Sequence, residues 1–138
     1  MEPGLVALLL LQLKHFVCDF VTQTQYQLEH KGTYGHPAGL QHAAHHVIGT
    51  AAALALLAAV APLPVTLTVV AAMLAAEFVL HYHIDWAKEQ VIRPYVKSQG
   101  PAYWAIFGFD QFLHQATYVA IAYVAVHGWS AGVWLPQP

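Results

Sequence analysis

"PVTLTVVAAMLAAEFVLHYHIDWAKEQ" (64–90) opens as an apolar run and closes on two histidines, an aspartate, a lysine and a glutamate. The stretch exceeds the roughly 20 residues that a helix needs to cross a bilayer core. Its small residues, "VVAAMLAAE", suit close approach of membrane helices. A charge at bilayer depth is expensive and by default marks function. The polar ending therefore predicts partners on other helices at the same depth.

The rest of the chain repeats the pattern. Only 9% of its 138 residues are Asp, Glu, Lys or Arg, against about 25% in a soluble domain. Mean hydropathy is +0.49, so lipid must take over part of the solvation. The net charge of −2 gives no sign of nucleic acid as a partner. With one cysteine, Cys18, no intrachain disulfide can form, and Cys18 reads as a buried apolar residue. "MEPGLVALLLLQLK" lacks a basic n-region and an A-x-A site, so it is expected to stay as the first membrane helix.

Breaks fall at "EHKGTYGHP" (29–37), "APLP" (61–64) and "RPYVKSQGP" (93–101), where glycine and proline interrupt helices. The expectation is an all-α, integral membrane four-helix bundle. It forms one transmembrane domain over residues 1–138, with helices at about 4–28, 38–61, 64–90 and 103–128. The tail "SAGVWLPQP" reads as a short interfacial segment. Tyr103, Trp104, Trp129 and Trp134 read as an aromatic belt. Lys31 lies between helices one and two, and Lys88, Arg93 and Lys97 at or after the end of helix three. Positive-inside then predicts four spans of a bacterial inner membrane with both termini on the outer side.

Positions four apart lie on one helical stripe, at about 100° per residue. His15, Asp19 and Gln23 are so spaced, as are His42 and His46, then Glu77, His81 and Asp85 with Lys88 at +3, then Asp110 and His114. His83 falls off its stripe. By the predicted topology all four stripes occupy the cytoplasmic half of the bundle.

Three helices carry a His and an Asp one turn apart. Such a mixed donor set suits zinc, iron or manganese, and facing helices of bundles build dinuclear sites in this way. The candidate ligands for one or two divalent ions are His15, Asp19, His42, His46, His81, Asp85, Asp110 and His114. Asp19, Glu77, Asp85 and Asp110 against Lys14 and Lys88 leave a residue of about −2, natural around a cation. Asp85, Lys88 and Glu77 are the candidate catalytic groups. Lys88 also reads as an interfacial anchor, and Glu77 as a ligand, a proton relay or a partner for Lys14. Lys14, mid-helix, is expected to pair with an Asp. Gln23 and Gln111 read as orienting groups around the ligands, His30 and His36 as loop residues, and His127 as unrelated. The Tyr and Trp residues read as belt and packing.

The segments "HFVCDFVTQ" (15–23), "HHV" (45–47), "HYHIDWAK" (81–88) and "DQFLH" (110–114) resemble those of a small bacterial polytopic membrane family, the domain-of-unknown-function family 3307. The resemblance covers about three quarters of the chain. It implies His15, Asp19, Gln23, His81, Asp85, Lys88, Asp110, Gln111 and His114 as shared positions, and leaves open which helix-two histidine corresponds. His83 is an extra histidine inside the third segment. The resemblance implies a membrane bundle with a polar site and no particular reaction.

Three function classes fit. One is a membrane metalloenzyme, a hydrolase or, with iron, an oxidoreductase, acting on a lipid-like or amphipathic substrate in the cytoplasmic leaflet. Another is a carrier or channel for metal ions or protons, as a homo-oligomer since four helices are few. The last is an accessory subunit of a larger membrane complex, with or without bis-histidine haem between helices two and four. The motifs H-E-x-x-H and G-x-S-x-G and the P-loop are absent.

Overall fold

A computed structural model describes residues 2–128. Among them the chain is helical with no strand. The expected tail segment, with Trp129 and Trp134, lies outside the described residues.

Helix starts follow from capping chemistry. α1 (Pro3–Phe16) has Pro3 in its first turn and Glu2 as cap, whose carboxylate accepts from the Leu5 N–H (3.2 Å). α3 (Pro37–Val60) starts at a proline capped by His36, and α5 (Pro101–His127) at another proline. Proline suits a first turn because the N–H it lacks has no partner there. α4 (Leu67–Ile92) starts three residues later than Pro64. Thr66 is its cap, accepting from the Val69 N–H (3.3 Å), and a 3-10 turn (Arg93–Tyr95) ends it.

The first expected helix, 4–28, is divided. After Phe16 it widens into a π-helical turn over Val17–Val21. Both the N–H and the hydroxyl of Thr22 donate to Val17 O, five residues back (2.9 and 3.1 Å). The chain breaks at 22–24, and Thr24 then opens a short helix α2 (Gln25–His30) through a capping box with Gln27. A strong local start signal thus wins over continuous apolar patterning.

α1 packs against α3 and α5, α4 packs against the same two, and α2 lies on α3. One half of this cycle is filled by Leu11, Leu54, Leu57, Met73, Ile121 and their neighbours. The other half is filled by buried Lys, His, Asp and Glu side chains.

The outer surface is the reverse. Leu5, Leu9, Leu13 and Phe16 on α1, Ile48 and Leu56 on α3, and Phe109, Phe112 and Tyr123 on α5 are each more than half exposed. Three helices, Pro3–Val21, Pro37–Val60 and Leu67–Tyr95, are long and apolar enough to cross a membrane, and only 28%, 33% and 17% of their apolar windows are buried. Polar groups inside and large apolar groups outside is a distribution consistent with lipid as solvent. α5, with 27 residues, falls outside that set because Asp110, Gln111, His114 and Gln115 share one stretch of it.

A buried histidine and carboxylate cluster

The site lies where the C-terminal part of the first helical segment, the start of α3, the end of α4 and the start of α5 meet. The four-residue spacing turns His42 and His46 inward from α3, Glu77, His81 and Asp85 from α4, and Asp110 and His114 from α5, all 4% exposed or less. His45, the third histidine of α3, is exposed and meets Gln27 (3.3 Å). His83 faces outward beside Tyr34.

Two overlapping donor sets form. In the first, Asp19, His42, His46 and His81 present ligand atoms within 4.8 Å of one another; in the second, His81, Asp85 and His114 do so. These buried groups could hold a metal ion. Asp19 Oδ1 accepts from His42 Nε2 (2.9 Å) and His46 Nε2 (3.1 Å), and His42 Nε2 is also 3.1 Å from Asp85 Oδ2. The imidazoles stack through the centre: His46 and His81 rings are 3.7 Å apart, His81 and His114 rings 4.3 Å.

His15 and Asp110 belong to neither set. His15 Nδ1 meets Tyr118 Oη (3.1 Å) and its Nε2 meets Gln111 Oε1 (2.9 Å), with Asp19 Oδ2 farther at 3.4 Å. Asp110 accepts from Gln111 Nε2 on Oδ2 (3.0 Å), and its Oδ1 stands 3.4 Å from His114 Nε2. Gln23 Nε2 donates to His42 Nδ1 (3.1 Å), but from the break after the π-helical turn rather than along a helical stripe.

Glu77 lies deeper. Its Oε1 accepts from Lys14 Nζ (2.5 Å) and Thr50 Oγ1 (2.9 Å). Lys14 therefore pairs with Glu77, one of the three roles read for that glutamate, and not with an aspartate. The close approach of α1 and α3 at Gly49 makes room for it, since a Cβ there would lie 3.3 Å from Lys14 Cδ. Lys88 sits at the rim, 2.9 Å from Glu89 and 3.9 Å from Asp85. A cleft of about 260 Å³, lined by Asp19, Lys31, Asp85, Lys88, Asp110 and Gln111 among others, leads to the cluster.

Three participants escaped the sequence reading. Lys31, taken as a loop residue, is 5% exposed and donates to Asp85 Oδ2 (3.1 Å). It changes the charge count: Asp19, Glu77, Asp85 and Asp110 now face Lys14, Lys31 and Lys88, leaving −1, or −2 with Glu89, the nearer partner of Lys88. Tyr118, taken as packing, joins Lys14, His15 and His46. Thr50 holds Glu77. A signal existed for two of them: 110, 114, 118 and 42, 46, 50 each continue a stripe by one more turn. Lys31 has no such periodicity, because a tertiary return of the chain places it.

A family model described as a protein of unknown function (DUF3307) matches residues 5–135. No curated protein and no solved structure matches the chain.

Proposed function

The chain belongs to the DUF3307 family of proteins of unknown function, and we propose that it is an integral membrane metalloprotein. In this reading it crosses a bacterial inner membrane four times, with both termini outside and the cluster on the cytoplasmic side. The reaction is hydrolysis or oxidation of a lipid-like or amphipathic substrate that reaches the cleft from the inner leaflet. α5 is the fourth span in this reading: Asp110 and His114 are buried, and Phe109, Phe112, Val119 and Tyr123 face outward.

One observation carries the metal reading. His81 Nδ1 and Nε2, His114 Nε2 and Asp110 Oδ1 are fully buried and make no well-formed hydrogen bond among the described residues, the nearest approach being 3.4 Å between His114 Nε2 and Asp110 Oδ1. Buried polar atoms are rarely left so, and these four converge around the His81–Asp85–His114 set. The Asp19 set differs, since the His42 and His46 Nε2–H groups already serve Asp19. Filling it requires those protons to leave. The first ion therefore belongs to His81, Asp85 and His114, with Asp110 beside them, and a second to Asp19, His42 and His46. Bound there, a divalent ion supplies Lewis acidity and an activated water at neutral pH. Zinc or manganese suits hydrolysis and iron suits oxidation. Lys88, at the rim, is placed to meet an anionic group of the substrate.

The charge count favours a second reading. With Lys31 inside, one protonated histidine, or two where Glu89 is counted with Lys88, balances the site, and the cluster then serves as hydrogen-bonded core of an accessory subunit or proton carrier. Elemental analysis of detergent-purified protein separates the two. The metalloprotein holds about one or two ions per chain and loses them in His81→Ala and Asp85→Ala. Wild-type protein that takes up no zinc, iron or manganese ends the metal reading.

A further inference from the structure

Donor and acceptor chemistry fixes the direction of a chain of hydrogen bonds through His15. An ammonium group only donates, so Tyr118 Oη, 3.2 Å from Lys14 Nζ, accepts from it and keeps one proton to give. His46 Nδ1 (3.3 Å) and His15 Nδ1 (3.1 Å) are the available acceptors. Lys14 Nζ also stands 3.3 Å from both His46 Nδ1 and His46 O, so its three protons, shared with Glu77 and Tyr118, serve His46 Nδ1 only in place of that carbonyl, and it is the surroundings of His15 Nε2 that send the tyrosine proton to His15. A neutral imidazole accepting at Nδ1 carries its proton at Nε2. Both neighbours of His15 Nε2 are acceptors: Gln111 Oε1 at 2.9 Å and Asp19 Oδ2 at 3.4 Å. At the far end the Gln111 amide donates to Asp110 Oδ2 (3.0 Å). An ionised carboxylate cannot donate, so the amide has only one orientation that satisfies both ends. Every link runs the same way, from Lys14 through Tyr118, His15 and Gln111 to Asp110.

We propose that His15 is a positioning residue and not a metal ligand. The Lys14–Tyr118 pair locks it as the Nε2–H tautomer. In that form it holds Gln111, which ties down one oxygen of Asp110 and turns the other, unpartnered Oδ1 toward His114 and the His81–Asp85–His114 donors. Both ring nitrogens of His15 are committed, and none is left for an ion. The use made of Asp110 rests on the metal-site reading, whereas the tautomer does not.

The test has two arms. In the first, two-bond 15N–1H correlation spectra are recorded on 15N-histidine-labelled protein in detergent, with His15 assigned by its loss in His15→Gln. The expected signature is a proton on Nε2, with mixed tautomers in Tyr118→Phe. A proton on Nδ1, or a His15 signal unmoved by Tyr118→Phe, overturns the chain. In the second arm, zinc binding is titrated in His15→Gln and His81→Ala. His15→Gln is expected to keep the wild-type stoichiometry with affinity lowered about 10- to 100-fold, as for groups that orient ligands. Loss of stoichiometry equal to that in His81→Ala makes His15 a ligand and overturns the positioning role. Failure of wild type to bind metal removes the metal-site reading alone, and the spectra then decide the chain by themselves.

Discussion

Among single residues, Lys31 bears most directly on whether the cluster would take a cation. Its ammonium lies 3.1 Å from Asp85 Oδ2, where it neutralises a carboxylate that would otherwise favour a divalent ion. Charges of +1 and +2 about 5 Å apart repel by several kcal/mol at an effective dielectric near 20. Screening through the cleft and withdrawal of the flexible lysine reduce that figure. Lys31→Met should therefore tighten zinc binding, by about tenfold or 1.4 kcal/mol, in competition with a chromophoric chelator. Unchanged or weaker binding would show that Lys31 does not compete with the ion. Lys14 is a different case. Glu77, Tyr118 and His46 surround it, so its charge is matched locally and contributes little at Asp85. The same four-residue logic that located His46 and His114 extends to Thr50 and Tyr118. Those two were legible in the sequence but were masked by chemistry, because a threonine and a tyrosine in an apolar helix read first as packing.

At the scale of elements, the stripes on α3, α4 and α5 were readable because a regular α-helix converts spacing into direction without further information. The first segment was not, because a π-helical turn breaks that conversion. Asp19 still stands near His15, but Gln23 reaches His42 only since the chain turns away after Val21. Signals for that turn were present in Thr24 and Gln27, whose capping box competes with the apolar run around it. The return of the loop after α2 depends on Gly32. Its carbonyl accepts from Gln90 Nε2 (2.7 Å), and a Cβ at Gly32 would lie 2.8 Å from Glu89 Cβ and 2.7 Å from the Arg93 guanidinium. The arginine end can move, but the β-carbon of α4 cannot. Gly32→Ala should lift this loop off α4 and cost about 1–3 kcal/mol, as for other overpacked contacts, measured by unfolding in detergent. It should also tighten zinc binding in the same direction as Lys31→Met, since it draws the lysine away from Asp85. Stability equal to wild type would mean that the loop is not seated on α4 in the detergent-purified protein.

For the whole molecule, the decisive property is that polar side chains gather in one end of the interior while the outside is apolar. Composition announced the membrane character, and the stripes announced that their polar groups would meet. How the loops add charge at that end could not be read, because Lys31 counts toward the positive-inside balance by sequence yet is buried in the site. Exposed Arg93 and Lys97 remain at the same end, after α4. If that end is cytoplasmic, residues Thr33 and Ser98 lie on the inner face and Pro62 on the outer, all three being exposed. In a Cys18→Ser background, Thr33→Cys and Ser98→Cys should be shielded from a membrane-impermeant maleimide in intact cells and labelled in inverted vesicles, while Pro62→Cys behaves in the opposite way. Labelling of Thr33→Cys and Ser98→Cys from opposite faces would remove α3 and α4 as a membrane-crossing pair. Labelling of both from outside would invert the molecule and turn its cleft away from the cytoplasmic leaflet, and with it the source of any substrate.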